Sequence, residues 1–195
     1  MSSGQLSFFS ADARPATPDD LEGWLCGPGQ VVRRGDEARL SVLVRDEWRI
    51  PALLDGLDAL ELTGEVVEDT AAEGRAVRTP FATVLLPLAQ RWSGGGAKRA
   101  PADLLLDGPR LRWWAFATGR ADPLGYALGL GAQDEAVWAG VGAALARAGL
   151  PAALLGPRAD GPAYRVTGLR RIARLRELLG EPPDGFPDLA WPARS

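Results

Sequence analysis

Apolar and polar residues alternate in several short blocks of the chain, and between those blocks the apolar residues recur with helical spacing. Alternation over roughly four to eight residues predicts a strand, and apolar residues three or four positions apart predict a helix. From residue 19 to residue 92 the predicted order is helix, two strands, helix, two strands and helix. The helices are predicted at 19–27, 45–60 and 81–92, and the strands at 30–34, 37–44, 64–69 and 75–80.

Residues 103–182 repeat most of this order, but only one strand is predicted where the first block has a hairpin. The helices are predicted at 108–119, 133–149 and 169–180, and the strands at 125–131, 152–157 and 163–168. Two pairs of matching positions keep nearly the same offset, since Asp46 and Asp134 are 88 residues apart and Arg78 and Arg165 are 87 residues apart. The offset indicates an internal duplication. The alternative is that two stretches share turn residues by chance.

The predicted fold class is therefore α+β, with two pseudo-symmetric halves of antiparallel sheet at 19–92 and 104–182. Residues 93–103, "SGGGAKRAPAD", combine three glycines with a proline and have no apolar period, which predicts a linker. Residues 1–18 are mostly small, polar or proline residues, so we expect a disordered N-terminal tail. A C-terminal tail is predicted at 183–195, after the last helix.

The composition limits the chemistry that the chain can perform. It contains no histidine, which removes Ser-His-Asp and Cys-His catalysis, and its one cysteine, Cys26, excludes an internal disulfide and a cysteine-rich zinc site. The net charge is -3, so bulk charge does not favour a protein that coats nucleic acid. We expect a cytoplasmic monomer without a cofactor, because the sequence pattern contains neither a secretion signal nor a membrane span.

The segment "AFATGRADP", residues 115–123, resembles the signature helix of the LAGLIDADG family of homing endonucleases, and the predicted order of elements resembles that family's repeat. The resemblance implies that Ala115, Ala117 and Gly119 are the small residues that let two such helices pack closely. It also implies that Asp122 stands at the position of the metal-binding carboxylate. The chain is similar in this respect to degenerate members of the WhiA kind, which keep the saddle-shaped sheet without cleavage.

The segment "WLCGPGQVV", residues 24–32, resembles the partner helix, with Cys26 and Gly27 as its small residues. Residues 28–30 are Pro, Gly and Gln, so this copy has no carboxylate at its end. Hydrolysis of a phosphodiester by this family needs a carboxylate from each central helix to hold divalent ions. The resemblance therefore implies no cleavage, no catalytic residue and no metal-binding residue. The alternative is a nuclease in which Asp122 acts with a carboxylate outside the motif.

Arginines on the predicted strands are candidates for DNA contacts, because the family resemblance implies two sheets that form a concave saddle on double-stranded DNA. The candidates are Arg33, Arg34, Arg39, Arg78 and Arg165. Arg78 and Arg165 are the foremost pair, since a pseudo-symmetric duplex requires contacts at matching places in the two halves. The alternative is that these arginines are solvated strand residues that pair with nearby acids.

The segment "QLSFF", residues 5–9, resembles the pentapeptide by which bacterial polymerases and repair proteins bind the DNA sliding clamp, the beta subunit of DNA polymerase III. The resemblance implies that Gln5 hydrogen-bonds at the edge of the clamp pocket and that Leu6 enters an apolar subsite. Ser7 would face outward, and Phe8 and Phe9 would fill the deeper subsite. The alternative is that the two phenylalanines fold back on the domain as a strand.

These features together predict a non-enzymatic accessory factor that the sliding clamp recruits in DNA replication or repair and that contacts duplex DNA. Three alternatives belong to other classes of protein: a transcription regulator of the WhiA kind, a metal-dependent endonuclease recruited by the clamp, and an adaptor whose body binds another protein.

Overall fold

The computed structural model describes residues 11, 14–69, 74–94, 96–157 and 161–193. In the first half the helices are α1 (Glu22–Cys26), α2 (Ile50–Ala59) and α3 (Leu86–Arg91). The strands of this half are β1 (Gln30–Arg34), β2 (Glu37–Val44), β3 (Glu65–Asp69) and β4 (Gly74–Arg78). The order helix, two strands, helix, two strands, helix is the predicted one.

The second half has the same order of elements. Its helices are α4 (Gly108–Thr118), α5 (Glu135–Arg147) and α6 (Leu169–Leu179). Its strands are β7 (Arg120–Asp122), β8 (Gly125–Gly129), β9 (Ala153–Leu155) and β10 (Ala163–Thr167). Between the halves, β5 (Ser93–Gly94) and β6 (Ala97–Lys98) form a small hairpin inside the segment predicted as a linker.

Short 3-10 turns lead into the helices of the first half, at Pro18–Leu21, Glu47–Arg49 and Thr83–Leu85. Thr17 is the N-cap of the first of these turns, and its backbone amide donates to the Asp20 carboxylate at 2.8 Å. Pro87 lies in the first turn of α3, where its missing N–H would have no helical partner. The proline therefore marks a late start of this helix rather than a kink.

Both sheets are antiparallel and have the same strand order, β1-β2-β4-β3 in the first half and β7-β8-β10-β9 in the second. The fold class and the two pseudo-symmetric halves are thus confirmed. The prediction that the second half lacks one strand is wrong, because β7 pairs with β8. Three residues are too few to show an alternating pattern, and the strand follows directly on the end of α4.

The two sheets also share their register. Arg78 is paired with Glu65, the first residue of β3, and on its other side with Ser41. Arg165 is paired with Ala153, the first residue of β9, and on its other side with Ala127 of β8. The two arginines therefore occupy equivalent positions in the two halves, as their sequence offset predicts.

One face of each sheet is buried under the helices. Along β2 the buried residues alternate with half-buried ones, so that Leu40 and Val42 face the core and Arg39 faces the other side. In the second sheet Tyr126 and Val166 are fully buried on the corresponding side. We call the opposite side of each sheet its open face.

The two central helices, α1 and α4, are in close contact at Gly23. A Cβ at Gly23 would overlap the carbonyl oxygen of Arg110 and lie 2.8 Å from the Cβ of Trp113. The ring of Trp113 packs edge-on against Trp24, with the ring centroids 5.4 Å apart. Gly119, one of the small residues expected at this contact, is close to the second sheet, since a Cβ at Gly119 would overlap the hydroxyl of Tyr126.

The segment predicted as a C-terminal tail packs on the core as far as residue 192. Trp191 is buried, and its indole N–H donates to the Gly180 carbonyl at 3.0 Å. Its ring lies beside Phe116 of α4, with the centroids 5.9 Å apart. The hydroxyl of Tyr126 donates to the carbonyl of Ala190 at 2.8 Å. Among the described residues, no helix has the length and apolar character to cross a bilayer.

Candidate nucleic-acid interface

Acids lie at the N-terminal ends of the two central helices, one of them buried (Glu22) and the other half-buried (Asp107). Glu22 begins α1, and its carboxylate accepts hydrogen bonds from Arg91 and Arg110 at 2.7 Å each and from the Trp92 indole at 3.0 Å. Asp107 is the N-cap of α4 and accepts from the backbone amide of Arg110 at 3.2 Å. Negative side chains at these ends complement the positive end of each helix dipole.

A buried arginine from the first half caps the C-terminal end of α4. Nη1 of Arg49 donates to the carbonyl oxygens of Ala115 and Phe116, at 3.2 and 3.0 Å, and Nη2 donates to that of Gly119 at 2.8 Å. Nε donates to the carboxylate of Asp46 at 3.0 Å. Burial lowers the pKa of Arg49 and Asp46 opposes this, but a guanidinium stays charged at neutral pH. The cation thus binds carbonyl oxygens at the helix end, of which that of Ala115 also accepts from the Gly119 amide.

The only lysine of the chain caps the C-terminal end of α1. Nζ of Lys98 donates to the carbonyl oxygens of Gly27 and Gly29, at 2.8 and 2.7 Å, and to the carboxylate of Asp134 at 2.8 Å. The side chains of Lys98 and Asp134 are 6% and 12% exposed. Burial lowers the pKa of Lys98, and the hydrogen bond to Asp134 raises it.

The two caps are related by the internal symmetry of the chain. Asp46 and Asp134 are the matching acids of the two halves, and each holds a cation against the central helix of the other half. Asp46 of the first half holds Arg49 on α4, and Asp134 of the second half holds Lys98 on α1. The ends of both central helices therefore carry a buried positive charge.

These helix ends do not fit the divalent metal that cleavage by the LAGLIDADG family needs. A metal site of this kind needs a carboxylate at each end, and the ends carry Lys98 and Arg49 instead. In the described part of the chain no group of three or more Asp, Glu, Cys or His side chains is placed to hold a metal.

Asp122 lies beyond the end of α4, although the family resemblance implies that it stands at the position of the metal-binding carboxylate. It is the last residue of β7, and its carboxylate accepts from the backbone amide of Leu124 in the turn that follows, at 3.0 Å. Both of its oxygens face Arg165, whose Nε and Nη2 lie 2.8 and 2.9 Å away. The helix ends at Thr118 and β7 begins at Arg120, so the strand carries the acid away from the helix axis.

A cavity of about 390 Å³ lies where the two halves meet, and we call it the central cavity. Its wall includes Pro28 after α1 and Thr118 at the end of α4, so both central helices reach it. Three arginines, Arg45, Arg49 and Arg120, line it together with one acid, Asp46. The remaining lining residues are Leu43, Ala117, Gly129, Leu130, Ala132, Gly161 and Pro162.

Three of the predicted DNA-binding arginines lie on the open face of the first sheet. Arg34 is paired with Glu37, and Arg39 is paired with the exposed Val32. The guanidinium carbons of Arg34 and Arg39 lie 3.9 and 4.5 Å from the ring centroid of Phe81. The third, Arg78, has its Nε 2.5 Å from the Glu65 carboxylate.

Arg33 lies on the other side of this sheet. It is paired with Ala38, which is fully buried on the face under the helices. Arg33 itself is exposed at the edge of the sheet, beside the hairpin of β5 and β6. Because side chains alternate along β1, the adjacent Arg33 and Arg34 lie on opposite faces of the sheet. The sequence alone did not distinguish between them.

The open face of the second sheet carries Arg165 and a residue that the sequence analysis missed, Arg120. Both are paired with Ala127, so they lie side by side across β8. Among the described residues the Arg120 side chain forms no ion pair. The signal that could have found it is the same repeat: Arg120 begins β7 as Gln30 begins β1, but the strand itself was not predicted.

The five residues of the clamp-binding motif, Gln5 to Phe9, lie outside the described residues. The described chain begins at Ala11, whose amide donates to the carbonyl of Leu178 in α6 at 2.9 Å. Arg14 pairs with Asp107, the N-cap of α4, at 2.9 Å. The first described residues therefore contact α6 and the N-terminal end of α4.

Comparison with known proteins identifies the fold. No protein-family model and no curated protein sequence matches the chain. The homing endonuclease I-WcaI, solved bound to its DNA recognition sequence, is similar over 83% of this chain and 79% of its own, with 12% identity and a TM-score of 0.59. The N-terminal LAGLIDADG domain of DUF199/WhiA is similar over 88% of each chain, with 13% identity and a TM-score of 0.56. The chain therefore has a LAGLIDADG-like fold.

Proposed function

We propose that this protein contacts double-stranded DNA through the open faces of its two sheets, does not cleave it, and is brought to DNA by the sliding clamp as an accessory factor in replication or repair. The observation that carries the DNA contact is the equivalent placement of Arg78 and Arg165, on the open faces of two sheets with one register. I-WcaI, which has a similar fold, is seen bound to its DNA recognition sequence, which supports a contact with DNA.

The acids that pair with the two arginines leave room for a phosphate. Glu65 is about half exposed, and an exposed ion pair of this kind contributes only about 0.2–1 kcal/mol, so a phosphate can replace it at little cost. Nη2 of Arg165 donates to Asp122, and Nε lies 2.8 Å from the same carboxylate without forming a hydrogen bond, so that Nη1 remains for a phosphate oxygen. Phosphate contacts from both halves would position a duplex across the saddle.

The DNA contact is tested by fluorescence anisotropy with a short labelled duplex, at several salt concentrations. Wild-type protein should bind at low salt, and changing both Arg78 and Arg165 to alanine should weaken binding. The matched control is the double change of Arg170 and Arg174 to alanine, which removes the same charge from α6. If wild type does not bind, or if the control weakens binding as much as the test variant, the open faces are not the DNA site.

Recruitment by the sliding clamp is supported by the pentapeptide "QLSFF" alone. A peptide that buries two or three apolar side chains gains about 1.5–3 kcal/mol for each before ordering costs, which is compatible with micromolar binding. Because a clamp encircles DNA, such a tether would keep the domain at high local concentration beside duplex, and a weak DNA contact would suffice. This accounts for a DNA-binding role in a chain of net charge -3.

The clamp proposal is tested with a peptide of residues 1–12 and a bacterial sliding clamp. The peptide should bind at micromolar strength, and the change of Phe8 and Phe9 to alanine should abolish binding. Absence of binding, or binding that survives the double change, would remove the recruitment claim and leave the DNA contact to be judged by its own assay.

The absence of cleavage is proposed because both central helices end against a buried cation. Plasmid DNA incubated with the protein and Mg²⁺ or Mn²⁺ should stay uncut. Cleavage that disappears in Asp122→Asn would instead favour the nuclease alternative.

A further inference from the structure

We propose that an apolar groove beside the N-terminal end of α4 is a docking site for the phenylalanines of "QLSFF", so that the domain and the sliding clamp compete for the same two residues. The competition rests on the clamp recruitment proposed above. The docking itself rests on the lining and the volume of the groove and on the place where the described chain begins.

The groove has a mostly apolar lining and a volume of about 280 Å³, and we call it the leucine groove. It is formed by residues 104–107 before α4, by Ala144, Arg147 and Ala148 at the C-terminal end of α5, and by Arg174 and Leu178 of α6. Leu104 and Leu178 are buried, whereas Leu105 is 66% exposed. An apolar occupant would therefore remove both itself and Leu105 from water.

The arginines that line the leucine groove already have partners within the domain. Nη2 of Arg147 donates to the carbonyl of Leu104 at 2.9 Å, and Nη1 of Arg174 lies 3.2 Å from the carboxylate of Glu177. The segment "QLSFF" carries no charge. A neutral, apolar occupant of this kind leaves both of these contacts in place.

The first described residues lie along the edge of the leucine groove. The amide of Ala11 donates to the carbonyl of Leu178 at 2.9 Å, and Arg14 pairs with Asp107 at 2.9 Å. Leu178 and Asp107 both line the groove. Residues 1–10 lie outside the described residues, and the chain that they form joins the domain at this edge.

The reach of the chain selects Phe8 and Phe9 as occupants. An extended residue spans at most about 3.6 Å, so the Cα atoms of Phe9 and Phe8 can be no farther than about 7 and 11 Å from that of Ala11. An apolar cavity of about 150 Å³ is large enough to hold benzene. The 280 Å³ of the leucine groove is therefore enough for at least one phenyl ring.

Docking in the leucine groove would control recruitment, because a phenylalanine in the groove cannot fill the subsite of the clamp at the same time. If the docked state is populated to roughly 90%, the apparent affinity for the clamp falls about tenfold, since only the undocked fraction binds. Binding to the clamp would then require release of the segment from the domain.

The docking is tested without the clamp by digestion with chymotrypsin, which cuts after aromatic residues. Cleavage after Phe8 and Phe9, followed by mass spectrometry, should be about tenfold slower in the full chain than in a peptide of residues 1–12. Leu105→Asp, which places a charge in the groove, should raise the rate to that of the peptide.

Leu189→Asp is the matched control. Leu189 is 78% exposed and lies in a different groove, beside Leu169 and Ile172 of α6, so this variant should keep the slow rate. Both substituted leucines are exposed, and both variants should keep the melting temperature of wild type. Leu105→Ser is a second variant without an added charge, and it should change the cleavage rate in the same direction as Leu105→Asp.

The competition is tested by the affinity of the full chain for a bacterial sliding clamp. Wild type should bind about tenfold more weakly than the peptide of residues 1–12. Leu105→Asp should bind as tightly as the peptide, and Leu189→Asp as weakly as wild type.

The outcomes separate the docking from the recruitment. If the full chain is cut as fast as the peptide, or if Leu105→Asp and Leu189→Asp change the rate equally, the docking is wrong whatever the clamp does. If the slow cleavage depends on Leu105 while the peptide does not bind the clamp, the docking stands and the recruitment is wrong. If the full chain and the peptide bind the clamp equally well, the competition is wrong.

Discussion

The two halves of the molecule have the same strand order and register, but they cap their central helices with different residues. In the first half Asp46 holds Arg49, which lies three residues further along the same segment. In the second half the matching Asp134 holds Lys98, which comes from the hairpin between the halves. The two halves repeat the position of the acid and the presence of a buried cation. They do not repeat the residue type of the cation or the segment of the chain that supplies it.

The two caps also differ in how far water reaches them. Asp134 is 12% exposed, whereas Asp46 is 46% exposed, although their cations are equally buried. A carboxylate in water keeps its hydration when its partner is lost, and a buried carboxylate does not. The comparison therefore predicts that the two caps contribute unequally to stability, even though they are equivalent by symmetry.

The largest expected effect is that of removing Lys98. Lys98→Met leaves the buried Asp134 without its cation and should lower the free energy of unfolding by about 3–5 kcal/mol. Arg49→Met leaves carbonyls of α4 unpaired but a hydrated Asp46, and should cost about 2–3 kcal/mol. Urea unfolding followed by tryptophan fluorescence measures both.

Two control variants accompany the caps. One removes a neighbouring charge, and the other combines the loss of the cation with neutralisation of its acid. Arg99→Met removes an exposed cation beside Lys98 and should change stability by less than about 0.5 kcal/mol. Asp134→Asn should restore part of the loss in the Lys98→Met background. If Arg49→Met is the more damaging change, exposure of the acid does not decide the strength of a cap.

A second asymmetry concerns the contact between the central helices, where α1 supplies the glycine and α4 supplies larger residues. Gly23→Ala should cost about 1–3 kcal/mol or more, because the new methyl group would meet the backbone of Arg110, which cannot swing aside. Gly156→Ala is the matched control, since nothing lies within 4 Å of a Cβ at that position. Equal melting temperatures for the two variants would contradict the close approach of the helices.

The sequence shows which parts of this arrangement can be predicted. The pattern of apolar residues predicted the order of elements and the offset that relates Arg78 to Arg165. Both can be read from short stretches of sequence, and the second half repeats the pattern of the first. The pattern missed β7, since three residues between a helix and a turn carry no alternation, and for this reason it did not place Asp122 on a strand beside Arg165. Arg49 and Lys98 could not be assigned as caps, because each acts on a helix about 70 residues away in the chain.

A smaller difference between the halves is expected in the rate at which a thiol reagent labels the single cysteine. Cys26 lies at the end of α1 and is fully buried, and burial raises the pKa of its thiol, so that it stays protonated at neutral pH. A thiol reagent should therefore label Cys26 only when the first half opens. Lys98→Met, which loosens that helix end, should speed labelling by about tenfold more than Arg49→Met does. Equal rates in the two variants would mean that the halves open together.

The central claim, that the two open faces act as one DNA surface, is tested most directly by comparing Arg78→Ala, Arg165→Ala and the double variant. The measurement is the slope of log K against log salt for a short duplex. If each arginine contacts one phosphate, each single change should flatten the slope by about 0.9, and the double change should flatten it by about 1.8. A slope that changes with only one of the two arginines, or with neither, would contradict the account.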